Sequence, residues 1–239
     1  MKRKVCAFFA FSSVVSIFGA LPDVQKCNLT DAVCLKTSAQ SMVPQLTDGL
    51  PDLGSKVLDP LYVEAIKVDL AGLKLALTDA QITGMKDTII DKLSVDLAKK
   101  QIQVICHVSV YLKGKYKASG KLLILPITGD GDTTIKLKNL RIQMMYPFNL
   151  VKNSEGKDVI DLSSYRYSYD VKDNAHFHMT NLFNGNKQLG DVMLTFMNQN
   201  WKALTQEFGK PLLEIPMEMV YNTVKTYLKS QPLEDIANL

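Results

Sequence analysis

The segment IKVDLAGLKLAL, residues 66–77, alternates apolar and polar side chains and changes parity once, at Ala71-Gly72. Alternation with a period of two is typical of a β-strand that has one buried face. A change of parity at a glycine predicts a β-bulge, which bends a strand while its apolar side chains stay on the inner face. The segment therefore predicts a single long strand that curves.

The same pattern returns in TTIKLKNLRIQMMYP, residues 133–147, where the parity changes at Asn139-Leu140. Further alternating segments lie at residues 89–97, 102–112, 116–125, 160–171 and 175–181. The segment Lys113-Gly114-Lys115 is interpreted as the break between two of them. Strands usually have 5–6 residues, so runs of this length with changes of parity predict a strongly curved antiparallel sheet with a concave apolar face.

Helical periodicity marks the two ends of the chain. Apolar residues between 35 and 46 share one helix face, with Pro44 as a disturbance and Asp48-Gly49-Leu50-Pro51 as the stop. From residue 189 to 228 the apolar residues recur at helical spacing, with an interruption predicted at Gly209 and Pro211 and a kink at Pro216. We predict an α+β fold in which the long, curved antiparallel sheet wraps around this long, kinked C-terminal helix.

The N-terminus indicates the compartment. Lys2, Arg3 and Lys4 precede an uncharged run that ends at Gly19-Ala20, which predicts a secretory signal peptide over residues 1–20 and a secreted, extracellular protein. Its removal lowers the formal net charge from +4 to +1. A nearly neutral chain favours no nucleic-acid partner, and its lack of a long apolar run predicts no stable insertion into a membrane.

The cysteines agree with export. Cys27 and Cys34 are close enough in sequence to form a disulfide in an oxidising compartment. Zinc is the rival use, although no C-x-x-C motif or nearby histidine supports it. Asn28 begins an Asn-Leu-Thr sequon inside the disulfide loop, and whether it is glycosylated stays open. Cys106 is predicted to be unpaired and buried on the apolar strand face.

The sequence contains no recognisable catalytic or cofactor motif, so we predict no catalytic residues, no cofactor and no enzymatic activity. Gly129-Asp130-Gly131-Asp132 lacks a complete calcium loop and is interpreted as a tight turn between strands. His176 and His178 share one strand face, but no third ligand accompanies them, so no metal site is predicted. Tyr165, Tyr167 and Tyr169 line one face of their strand, either as a cavity rim or as ordinary packing.

Several segments, in this order and spacing, resemble the insect takeout and juvenile-hormone-binding protein family, takeout-like branch. The resemblance extends over the chain from Cys27 to the C-terminus, so residues 21–239 are expected to form one domain. The segments are the Cys27 and Cys34 pair, Asp48–Gly54, Asp59-Pro60-Leu61, Ile82–Lys86, Gly129-Asp130-Gly131, Leu182–Gly190 and Asn198-Gln199-Asn200-Trp201.

The resemblance implies an elongated tubular lipid-binding architecture with a hydrophobic tunnel between helix and sheet. Family members are secreted carriers without catalysis. A second disulfide near the C-terminus is usual in true hormone binders, and its absence here argues against juvenile hormone as the ligand. The predicted lining residues are Val68, Leu70, Leu75, Val104, Cys106, Val108, Leu140, Met144, Tyr146, Met193, Phe196, Met197 and Trp201, with Tyr146, Asn200 and a tyrosine of 165–169 as groups that orient the ligand.

We therefore expect an extracellular carrier of a small hydrophobic ligand, such as a terpenoid hormone, a fatty acid or a similar lipid. The main alternative is a secreted interaction or structural protein whose core is filled by its own side chains. A lipid-acting enzyme would need a nucleophile and base, which the sequence does not offer. A protein that engages microbial lipid surfaces would favour a strongly cationic tip. No receptor is suggested by the sequence.

Overall fold

The structure is a computed structural model and describes residues 24–238, so the predicted signal peptide lies outside the described residues. The strands are β1 (Cys27–Asn28), β2 (Leu61–Leu70), β3 (Leu73–Thr83), β4 (Ile89–Asp96), β5 (Gln101–Leu122), β6 (Leu125–Lys152), β7 (Asp158–Leu162), β8 (Arg166–Met179) and β9 (Ala237–Asn238). The helices are α1 (Ala32–Asp48), α2 (Lys187–Gln199), α3 (Trp201–Ser230) and α4 (Leu233–Ile236).

Strands β5 and β6 form the centre of a seven-stranded antiparallel sheet. They contain 22 and 28 residues, so β5 alone extends for about 70 Å at ~3.3 Å per residue. At one end β3 and β2 continue the sheet beyond β5, and at the other end β4 takes their place. Strands β7 and β8 both pair with β6. The predicted curled antiparallel sheet with a long C-terminal helix is confirmed.

The two changes of parity have different structural causes. The bulge predicted at Asn139 is confirmed, because the β6–β8 register shifts between Lys138 and Leu140 and Asn139 has φ 55°. The bulge predicted at Ala71-Gly72 is wrong. These residues form a two-residue hairpin turn between β2 and β3, with φ 51° and 85°, and Leu70 pairs with Leu73 across it.

Two breaks predicted at glycines are also wrong. Lys113-Gly114-Lys115 lies within β5, and Gly129-Asp130-Gly131-Asp132 lies within β6 rather than in a tight turn. The glycines allow backbone segments to approach closely: a Cβ on Gly114 would lie 2.9 Å from the Thr78 carbonyl oxygen, and one on Gly131 would lie 2.6 Å from Thr180 Oγ1. A glycine inside a strand pattern can indicate such an approach as readily as a turn.

The strand predicted over 160–171 is divided, because β7 ends at Leu162 and β8 begins at Arg166. Strand β8 then continues to Met179 and includes most of the segment that was predicted as a separate strand at 175–181. Ile160 and Val171, the two ends of the predicted strand, therefore belong to different strands that pair with different parts of β6.

The N-terminal helix forms as predicted, with Pro44 inside it. In the C-terminal region the break lies at Asn200, between α2 and α3, instead of at Gly209 and Pro211. Helix α3 continues through both of its prolines over 30 residues. Tyrosine hydroxyls of β8 donate to helix carbonyls in this region, from Tyr169 to the Thr205 oxygen at 2.9 Å and from Tyr167 to the Lys210 oxygen at 3.4 Å.

Candidate functional site

A first cavity of about 190 Å³ lies between the concave face of the sheet and helix α3. Its sheet wall consists of apolar side chains from β3, β5, β6 and β8, including Leu75, Val108, Leu140 and Val171. Residues 204–220 of α3 form the opposite wall. Inward-facing residues of one curved sheet and one helix face thus enclose a space that their own side chains do not fill.

A second cavity of about 270 Å³ continues from the first towards the disulfide end of the molecule. Helix α1 and strand β4 close it on one side, and the C-terminal half of α3 closes it on the other. The two cavities are adjacent, because they share the wall residues Met85, Thr88, Cys106, Met144 and Val220. Each exceeds the ~150 Å³ of an engineered apolar cavity that admits benzene.

The walls of both cavities contain no Asp, Glu, Lys, Arg or His among the described residues. The wall hydroxyls are few, and most of them already donate to backbone carbonyls: Thr133 to His178, Thr205 to Lys202, and Thr88 to Met85. An apolar molecule in this space would leave none of these donors unsatisfied. The cavities therefore suit a ligand that is recognised by shape and apolar area.

Cys106 lies at the junction of the two cavities and is 3% exposed. Burial raises the pKa of its thiol to about 12, with a smaller contribution from the negative charge of Asp91. Tyr146 faces the second cavity, where its hydroxyl donates to Met144 Sδ at 2.8 Å, and burial raises its pKa well above the usual range. The prediction that Cys106 is unpaired and buried is confirmed.

The structure brings eight of the predicted lining residues to the cavity walls: Leu75, Val104, Cys106, Val108, Leu140, Met144, Tyr146 and Met197. Five lie elsewhere: Val68, Leu70, Met193, Phe196 and Trp201. Leu70 is 39% exposed at the β2–β3 turn, whereas Val68 and Met193 are packed in the core. Contact of any of these residues with a ligand stays a prediction.

The groups predicted to orient a ligand also divide. Asn200 is not on a cavity wall. Its Nδ2 instead donates to the Phe196 oxygen at 2.8 Å and caps the C-terminus of α2. The tyrosine face of β8 forms a row of neighbouring rings, in which Tyr167 lies 6.2 Å from Tyr165 and 6.3 Å from Tyr169. Of these three tyrosines, Tyr169 lines the first cavity, whereas Tyr165 and Tyr167 pack beside it without lining either cavity.

Sequence reasoning missed much of the helical lining. Leu212, Leu213 and Met217 of α3 face the first cavity, and Met42 and Tyr227 face the second. The apolar stripes on both helices were visible in the sequence. They could not distinguish wall residues from core residues, because both have the same period and the same composition.

No metal centre is found in the part of the chain that the structure describes. His176 and His178 are exposed on β8, and no group of three or more potential ligands is close enough to hold a metal ion within residues 24–238. His107 does have an acidic partner that the sequence analysis missed, Asp91, with Nδ1 and Oδ1 2.9 Å apart. A register shift between Ile90 and Lys92 places Asp91 there.

The disulfide between Cys27 and Cys34 is confirmed and lies next to the N-terminus of α1. Asn28 is exposed, and its Oδ1 accepts hydrogen bonds from the Thr30 backbone and hydroxyl. Its glycosylation stays a prediction. Among the described residues, no helix has the length and apolar character needed to cross a membrane.

A curled sheet closed by a long helix around uncharged apolar cavities is an arrangement typical of proteins that bind hydrophobic molecules. Comparison with known families assigns the chain more narrowly. The profile of the haemolymph juvenile hormone binding protein (JHBP) family matches residues 5–238. The chain belongs to this family.

Individual relatives support the assignment. The crystal structure of Epiphyas postvittana Takeout 1 superposes with a TM-score of 0.88 at 44% identity, covering 90% of this chain and 100% of that one. The circadian clock-controlled protein daywake of Drosophila melanogaster is 29% identical over 76% of this chain and 74% of its own length. A Schistocerca gregaria protein that bears the name of a beta-carotene-binding protein is 31% identical over 44% of this chain and 43% of that protein.

Proposed function

We propose that this protein is a secreted carrier that holds one hydrophobic ligand in the two adjacent cavities without covalent chemistry. The observation that carries the proposal is the apolar, uncharged lining of a space that reaches from beneath α3 to beneath α1. Transfer of a ligand into such a space is favourable by ~0.8 kcal/mol for each methylene removed from water. Specific polar contacts are not needed for affinity.

The lining favours a neutral ligand over a fatty-acid anion. A carboxylate placed in either cavity would find no Lys, Arg or His on the described walls, and an unpaired buried charge is strongly unfavourable. The donors nearest to such a carboxylate, including the hydroxyls of Thr133 and Thr205, are already used by backbone carbonyls. We therefore place terpenoids, carotenoids and esters ahead of ionised fatty acids. The name of the Schistocerca gregaria relative agrees with a polyene ligand.

Export of the protein rests on three observations. The first 20 residues have the pattern of a signal peptide. The Cys27–Cys34 disulfide belongs to an oxidising compartment. The family description refers to haemolymph.

A matched pair of fluorescent probes tests the proposed ligand class. cis-Parinaric acid and its methyl ester share one polyene chain and differ only in the ionisable carboxyl group. We expect saturable binding of one ester molecule per protein, with an affinity that does not change between pH 5 and 8. The acid should bind only in its protonated form, so its apparent affinity should fall about tenfold per pH unit above its own pKa.

Three outcomes would contradict parts of the proposal. Equal, pH-independent affinity for the acid and the ester would show that the cavity accepts a charge. Failure of both probes to bind would favour an interaction protein with a filled core. Turnover of the ester to acid and methanol, detected by mass spectrometry, would show an enzyme instead of a carrier.

A further inference from the structure

The β2–β3 and β5–β6 hairpins end side by side at one end of the sheet. Their turns are Ala71-Gly72 and Leu123-Ile124, and the Lys121 N–H donates to the Gly72 oxygen at 2.9 Å between them. Helix α1 packs against β4, which pairs with the opposite end of β5, so the two hairpin turns lie at the end of the sheet away from α1. We call the outward-facing side of this end, residues 67–76 and 117–130, which pair with one another across the strands, the tip face.

The tip face exposes apolar side chains. Ile124 at the β5–β6 turn is 81% exposed, more than any other large hydrophobic residue described, and Leu70 on the neighbouring turn is 39% exposed. An isolated exposed leucine is ordinary. An isoleucine this exposed at the end of a long hairpin, however, is placed to contact any surface that the hairpin approaches end-on.

Exposed lysines surround these apolar residues. Strand β5 places Lys117 and Lys121 on its outward side, and β2 and β3 add Lys67 and Lys74. In the same ranges the acidic residues are Asp69 and Asp130, which lie opposite Lys74 and Lys117 across the strand pairs, and the formal surplus is two positive charges. Within the described residues, no ion pair involves any of these four lysines. The tip is therefore locally cationic, although the chain after residue 20 is almost neutral.

The first cavity extends to this end of the molecule. Leu73 and Leu122 are wall residues, and they are the residues directly beside the two turns. A surface that contacts the tip would thus lie next to the end of the ligand space.

We propose that the tip face docks on anionic phospholipid bilayers, with Ile124 in the headgroup region and the lysines against the lipid charges. Lysine stems lie along apolar surface while their ammonium groups stay with the phosphates. Docking itself does not depend on the carrier function. The further consequence, exchange of ligand between the bilayer and the first cavity, rests on the proposed function.

Vesicle co-sedimentation tests the docking with the full chain. The probes are vesicles of phosphatidylcholine alone and of phosphatidylcholine with 30% phosphatidylserine. We expect binding to the anionic vesicles only, lost at 0.5 M NaCl because salt screens the lysines. Lys117→Glu with Lys121→Glu should lower vesicle affinity at least 25-fold, from about fivefold per lysine. Ile124→Asn should lower it about tenfold.

Matched controls separate the tip from net charge and from hydrophobicity in general. Lys36→Glu with Lys56→Glu makes the same change of charge at the α1 end, and Val33→Asn replaces another exposed apolar residue, 77% exposed, on α1. Both controls should bind vesicles like wild type. Equal losses in tip and control variants, or no binding of wild type to anionic vesicles, would overturn the proposal.

A second readout keeps docking apart from ligand binding. Titration with cis-parinaric methyl ester in solution should give the same affinity for wild type and for the tip variants. Wild type that binds vesicles but not the ester would retain the docking and reject the carrier function. Wild type that binds the ester but not the vesicles would retain the carrier function and reject the docking.

Discussion

The side-chain amide of Asn198 pairs with the backbone of Phe177 as a neighbouring strand would. Asn198 Oδ1 accepts from the Phe177 N–H at 2.8 Å, and Asn198 Nδ2 donates to the Phe177 oxygen at 3.0 Å. Phe177 belongs to β8, whose other side pairs with β6. One residue of α2 thereby satisfies both backbone groups of Phe177 on the free edge of β8 and holds the helix against that edge. Unpaired strand edges otherwise invite pairing with other chains.

Replacement of Asn198 by Leu should lower the free energy of unfolding by about 2–3 kcal/mol, because it leaves the Phe177 N–H and carbonyl without their partner. Urea denaturation measures the change. Gln199→Leu, at the exposed neighbouring position, is the matched control and should change stability by less than about 0.5 kcal/mol. Equal effects would show that the Asn198 contact does not stabilise the fold.

Two segments that carry the family resemblance meet in the structure. The buried Asp59 carboxylate accepts hydrogen bonds from the backbone N–H groups of Gly84 and Lys86 at 3.0 and 2.8 Å. Gly84 has φ 102°, and a Cβ there would clash with the Ser109 carbonyl oxygen. Asp59 and Gly84 thus fix one corner of the sheet together.

Gly84→Ala should therefore destabilise the protein by about 4 kcal/mol, since both the backbone conformation and the contact with Ser109 resist a side chain. Gly156→Ala is the control, because Gly156 also has a positive φ of 77° but has no atom within 4 Å of the new Cβ. It should cost about 1–2 kcal/mol. Thermal unfolding of both variants measures the difference, and equal losses would exclude the Ser109 contact as the cause.

Val108→Trp fills part of the first cavity and should weaken binding of cis-parinaric methyl ester about tenfold. This is the loss expected when the ring displaces two buried methylenes at ~0.8 kcal/mol each. Val192→Trp, at a position 61% exposed on α2, makes the same substitution outside the cavity and should leave affinity unchanged. Unchanged affinity in a folded Val108→Trp variant would remove Val108 from the ligand space.

The buried thiol of Cys106 makes stability depend on alkaline pH. In the unfolded chain a cysteine loses its proton near pH 8.5, whereas burial raises the pKa of Cys106 to about 12 in the fold. Above pH 9 the unfolded state therefore binds fewer protons, and the free energy of unfolding should fall by up to ~1.4 kcal/mol per pH unit from this group.

Urea denaturation of wild type and Cys106→Ala between pH 8 and 10.5 measures this contribution. The variant is less stable throughout because it creates a cavity, but its decline with pH should be shallower than that of wild type. Parallel curves would show that the thiol ionises equally in both states.

The sequence was sufficient for the curved sheet, because alternation persists over strands as long as β5 and β6. It could not locate every turn. A two-residue hairpin and a β-bulge both change the parity of the alternation by one, so Ala71-Gly72 and Asn139 look alike until the pairing partners are known. Glycines such as Gly131 were equally ambiguous between a turn and a close backbone contact. The approach of Thr180 to Gly131 arises from tertiary structure, which the local sequence does not show.

The cavity lining was predicted better on the sheet than on the helices. Leu75, Val108 and Leu140 face inward by parity, and all three reach the cavity. On the helices, periodicity identifies a buried face but not how far along it the cavity extends. Trp201 and Phe196 do not line the cavity although the nearby Met197 and Leu204 do, and Leu212 and Met217, further along α3, line it as well.

The central claim is that one apolar molecule occupies the space between α3, α1 and the sheet. A crystal structure of the protein with cis-parinaric methyl ester tests it most directly. The account predicts continuous ligand density through both cavities, passing Cys106 and Met144 at their junction. Cavities closed by rearranged side chains, or ester bound only on the outer surface, would contradict it.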